Sequence, residues 1–136
     1  MSTAIGFEIF LDAPCNQSVN IVPEALKIEG FGVLTSIDVC SILKKKLGEG
    51  FRQYVIIGAC NPPLAHKDFT NDPRVGLILP CNVTVEVVPE GGSFVRIANP
   101  GVMMGAGSME DNREMGDLAK EARVRLEQVA GILQTK

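Results

Sequence analysis

The run Tyr54-Val55-Ile56-Ile57-Gly58-Ala59 passes without a charge into Cys60-Asn61-Pro62-Pro63, and this junction constrains the fold more than any other stretch. An almost continuous apolar segment suits a strand in the interior of a sheet. Asn61 supplies a capping side chain, and Pro62 sits where a first helical turn needs no amide donor, so a helix leaves the strand here. Further on, Leu79-Pro80-Cys81-Asn82 opens the alternating run Val83-Thr84-Val85-Glu86-Val87 with a second Cys-Asn pair. If the two strands are antiparallel neighbours, the end of one and the start of the other share a sheet edge.

The remaining elements follow from periodicity and punctuation. Gly6 to Leu11 reads as a first strand and Asp12 to Ser18 as a turn. A helix is expected from Val19 to about Glu29, with Val19, Val22, Ala25 and Leu26 on one face and Gly30 ending it. Pro23 removes a backbone donor inside that span, so the helix should start near Val22 or kink there. Phe31 to Thr35 forms the second strand. Ser36 to Asp38 supplies caps for a short helix, Val39 to Leu47, closed by Gly48. The helix begun at Asn61 carries Leu64, Ala65, His66 and Phe69 and stops before Asn71-Asp72-Pro73. Pro89 to Gly92 makes a hairpin turn, and Ser93 to Ala98 returns as the fifth strand. Beyond a link rich in methionine and glycine, Val102 to Ser108, a long helix should run from about Asp111 to Leu133. Met115, Leu118, Ala119, Ala122, Leu126, Val129, Ala130 and Leu133 form its apolar stripe.

The expectation is therefore an α+β fold in one domain over residues 1–136: strand, helix, four strands, helix, with a curved antiparallel sheet and short helices inserted in the connections. A chain of 136 residues can bury a sufficient core without metal or disulfide staples. The net charge of -3, with Lys44-Lys45-Lys46 the one basic run, speaks against a nucleic-acid surface. Those lysines are better placed as dipole partners at a helix end. Met1 to Gly6 lacks a basic leader and an apolar core, and no apolar run is long enough to span a bilayer. The protein is read as cytoplasmic, with Cys15, Cys40, Cys60 and Cys81 reduced.

Several segments together resemble the family called domain of unknown function 302. They are Glu29-Gly30-Phe31-Gly32-Val33-Leu34-Thr35, Ile37-Asp38-Val39, Leu43-Lys44-Lys45-Lys46-Leu47-Gly48, Gly58 to His66, and Gly76-Leu77-Ile78-Leu79-Pro80-Cys81-Asn82-Val83. The likeness runs through nearly the whole chain. It implies an arrangement similar to that of the TATA-box-binding protein, often as a homodimer, and it implies no established activity.

The candidate ligand-binding residues are Cys60, Asn61, His66, Cys81 and Asn82. The amide donors and dipole at the helix start should favour a thiolate at Cys60, and equally a ligand carboxylate or phosphate. The same cysteines could instead fill core as small hydrophobes, the reading favoured for Cys15 and Cys40. His66, the single histidine, would complete a zinc or copper set with the two thiols, but the spacing fits no established zinc pattern and a fourth ligand is missing. The hydrolase elbow, phosphate loop and dinucleotide fingerprint are absent, and Gly30-Phe31-Gly32 follows a helix rather than a strand. No catalytic residue or cofactor is assigned. Three functions compete: a small-ligand binding or sensing domain, a thiol redox or metal-handling protein, and a structural or interaction module.

Overall fold

The computed structural model describes residues 5–104 and 112–136. Five strands, β1 (Gly6–Leu11), β2 (Gly32–Asp38), β3 (Tyr54–Cys60), β4 (Cys81–Val87) and β5 (Ser93–Ala98), form one sheet in the order β1-β5-β4-β3-β2. Every pairing is antiparallel. The helices are α1 (Cys15–Ile28), α2 (Val39–Leu47), α3 (Pro62–Asn71), α4 (Pro100–Met103) and α5 (Arg113–Gln134), with a 3-10 turn over Pro73–Leu77. This is the α+β order expected from the sequence.

The long helices bury the stripes their spacing demands. On α5 the buried residues are the eight expected, from Met115 to Leu133. Leu126, Val129 and Leu133 join Val22 and Leu26 of α1 and the inward residues of the sheet in one core cluster. A second cluster combines Leu64 of α3, Val75, Met104 and the first turns of α5. Alternation along β4 and β5 puts Val83, Val85, Val95 and Ile97 on the helix-covered face, all fully buried.

Two boundaries differ from expectation by three residues or more. Helix α1 begins at Cys15, four residues before Val19, and continues through Pro23. The first turn is held by Pro14, whose carbonyl accepts from the Gln17 and Ser18 amides. Ser18, expected in a turn, is buried because its hydroxyl meets that of Ser93 at 2.8 Å. Strand β2 extends to Asp38, three residues past Thr35, because β3 offers a continuous ladder from Thr35–Gly58 to Asp38–Val55. Asp38 still caps α2, accepting from the Ser41 amide at 3.0 Å. Gly48 closes α2 in the left-handed region at φ 69°, where a side chain would be strained. The link from Gly105, with Met109, Glu110 and Asp111, lies outside the described residues. Among the described residues no helix is long and apolar enough to cross a membrane.

Candidate functional site

Antiparallel pairing of β3 with β4 brings Ala59 opposite Cys81 and Gly58 opposite Asn82. The last residue of one strand and the first of the next therefore stand at one sheet edge. Cys60 and Cys81 both line a cavity of about 160 Å³. It lies between the two core clusters, with Phe31 and Ala59 from the first and Leu64, Met104 and Ala122 from the second among its walls. Leu34 and Phe69, both exposed, contribute its outer lining.

Asn61 holds the helix that roofs the cavity. Its Oδ1 accepts from the Leu64 amide at 3.2 Å, and its Nδ2 donates to the Glu29 carbonyl at 3.4 Å. The side chain is thus a cap and a tie between α3 and the end of α1. Pro62 and Pro63 have no N–H, Leu64 is capped, and the Ala65 amide is spent on the Asn61 carbonyl at 2.8 Å. The first turn of α3 has no donor to spare. The expectation of a carboxylate or phosphate bound at this helix start is corrected accordingly: capping consumed the groups that would bind it.

The residue that sequence reasoning missed is Asp68. It lies one helical turn beyond Leu64, on the same buried face of α3. It is 6 % exposed and lines the cavity, and among the described residues its Oδ1 has no hydrogen-bond partner. Burial pushes its pKa up from 3.8 to about 6, because an apolar surrounding disfavours the charged form. A signal was present in the sequence: at the position where the stripe begun by Leu64 calls for an apolar residue, the chain has an acid.

Asp68 also acts on the thiols. Burial first, then the charge of Asp68 and the neighbouring Cys60, raise Cys81 to about 11. Cys60 is raised by burial and then by Asp68. The expected thiolate at the helix start is therefore reversed: desolvation and a nearby carboxylate outweigh the helix dipole, and both sulfurs are held as thiols.

His66 and Asn82 fall away from this cavity. Both are exposed, and neither is among its lining residues. Two steps along a helix turn the side chain by about 200°, so His66 points away from the face shared by Leu64 and Asp68. Asn82 follows Cys81 along the strand and faces the other side of the sheet; it lines a cleft of about 20 Å³ beside Pro80 and Met103. Among the described residues, no three His, Cys, Asp or Glu side chains are grouped to hold a metal ion. Cys15 and Cys40 donate weakly to the carbonyls of Val85 and Phe51, away from the cavity lining.

A family model described as domain of unknown function DUF302 matches residues 7–133. The chain belongs to the DUF302 family. A crystal structure of an uncharacterised conserved DUF302 protein from Bacillus stearothermophilus is similar over 95% of this chain and 98% of its own, with a TM-score of 0.83 and 27% sequence identity. No curated protein sequence matches the chain. The matched span of DUF302 takes in every wall of the cavity, from Phe31 to Ala122.

Proposed function

We propose that this DUF302 domain is a cytoplasmic, homodimeric module that binds a compact, mostly apolar small molecule at the Cys60/Cys81 edge. The observation that carries the reading is the cavity itself: mostly apolar walls that include the buried carboxyl of Asp68. Ligand sites have this composition, a hydrophobic surface with a few placed polar groups. Size agrees as well. An apolar cavity of about 150 Å³ takes up benzene, so a volume of about 160 Å³ suits a ligand of one ring. Protonated, half-buried thiols line such a pocket as soft apolar surface, which weakens the redox alternative. Four free cysteines suit a reducing compartment.

A panel of single-ring and short branched molecules, screened by thermal shift, tests the binding reading. Wild-type protein should gain several degrees with at least one compound, and Ala65→Phe, which fills the cavity, should gain none. A flat response of the wild type across the panel would end the proposal, as would an equal response of the filled variant.

The homodimer is supported by the outer edge of the sheet. All seven residues of β2 are exposed, and α2 buries none of its own. Leu34 and Leu47 are 65% and 68% exposed beside Val33, Ile37 and Ile42. An unpaired apolar edge of this extent is a template for pairing with another chain. Sedimentation velocity should give a dimer for the wild type and a monomer for Leu34→Lys. A wild-type monomer at tens of micromolar would remove the dimer.

A further inference from the structure

The polar end of the ligand is specified by the charge balance of the cavity, an inference that rests on the binding reading above. Among the described residues, Asp68 Oδ1 has no partner, and no Lys, Arg or His lines the cavity. Among the described residues no ion pair reaches Asp68. A buried carboxylate without a cation is expensive unless something compensates it. The other end of the pocket offers nothing to an anion, since the first turn of α3 has no free amide. Phe31 and Phe69 add aromatic surface to the lining, and aromatic faces attract cations.

We propose that the cavity selects a small hydrophobic ammonium ion, a primary amine on a compact apolar body, through an ion pair from its N–H to the Asp68 carboxylate. Asp68 supplies the negative charge and the hydrogen-bond acceptor, and Leu64, Leu79 and Met104 enclose the hydrocarbon. An anionic ligand is repelled by the same carboxylate. A neutral alcohol of the same shape still donates a charge-assisted hydrogen bond to the carboxylate, but it leaves the buried negative charge uncompensated and lacks the ion-pair attraction of the ammonium. The two aromatic rings and the carboxyl together make a site in which charge and shape are both needed.

The test compares benzylamine, benzyl alcohol, toluene and benzoate by isothermal titration calorimetry at pH 7.5, on the wild type and on Asp68→Asn. Benzylamine should bind the wild type about tenfold more tightly than benzyl alcohol, because only the ammonium compensates the charge of the buried carboxylate. Asp68→Asn should lose about that factor for benzylamine and less than about twofold for toluene. Benzoate should not bind. If benzyl alcohol, toluene or benzoate binds the wild type as well as benzylamine, ammonium selection is wrong while the cavity reading stands. Ammonium selection fails equally if Asp68→Asn leaves the amine affinity intact. Binding of none of the four overturns both readings for ligands of this size. Should Asp68→Asn not fold, the wild-type ratio of amine to alcohol decides alone.

Discussion

Asparagine in place of Asp68 should remove a slope from the pH dependence of stability and leave the domain more stable than wild type at pH 8. Folded Asp68 holds its proton up to about 6, against an ordinary value of 3.8. Between those values the folded state binds more protons than the unfolded chain, so stability falls as pH rises. The contribution is fully present below the unfolded value and lost once pH passes the folded one. The gap is worth about 3 kcal/mol in all, with about half of it recovered on acidification from pH 8 to pH 5. That figure is an upper end, since the carboxyl faces a cavity with an exposed outer lining. Glu86 and Asp72 work in the opposite sense. Hydrogen bonds from Arg96 and from Arg74 hold their pKa values down, and the stability they contribute is lost as pH falls below the ordinary carboxylate range. Subtracting the asparagine variant from the wild type cancels both. Urea midpoints measured from pH 5 to pH 8 should show a gap that closes toward acid. Parallel curves for the two proteins would mean that Asp68 is not desolvated.

Leu126→Ala should cost about 3 to 4 kcal/mol, within the range for deleting a fully buried leucine. Leu126 is completely buried on α5, in the cluster that also holds Val22, Leu26, Val129 and Leu133. Helix α5 packs there against both α1 and β1, so three elements would have to move to close the void. Such a loss is a large share of the 5 to 15 kcal/mol that holds a typical domain folded. The urea midpoint should drop with the slope unchanged. Val124→Ala on the exposed side of α5 serves as the control, with a change within about 0.5 kcal/mol. A Leu126 loss below about 1 kcal/mol would contradict the packing described for α5.

Sequence pattern and structure agree most closely where a single periodicity acts alone. The α5 stripe from Met115 to Leu133 and the bounds of α2, with Asp38 before it and Gly48 after it, needed no tertiary information. They disagree where a distant strand intervenes. Ser18 is a polar residue on a buried face because Ser93, far along the chain, provides its partner. Strand β2 runs on through Ser36 and Ile37 because β3 extends beside it. Asn61 was legible as a cap, but its second bond, to the Glu29 carbonyl, depends on where α1 ends in space.

The chain alone determined the order of elements and made a meeting of Cys60 with Cys81 conditional on one pairing; the antiparallel pairing of β3 with β4 met that condition. Tertiary structure decided what surrounds the two sulfurs. Only packing α3 against α5 turned Asp68 inward and His66 outward, and only burial raised the carboxyl and the thiols. Proton affinity depends on the medium around a group, and that medium is built from residues far apart in the sequence.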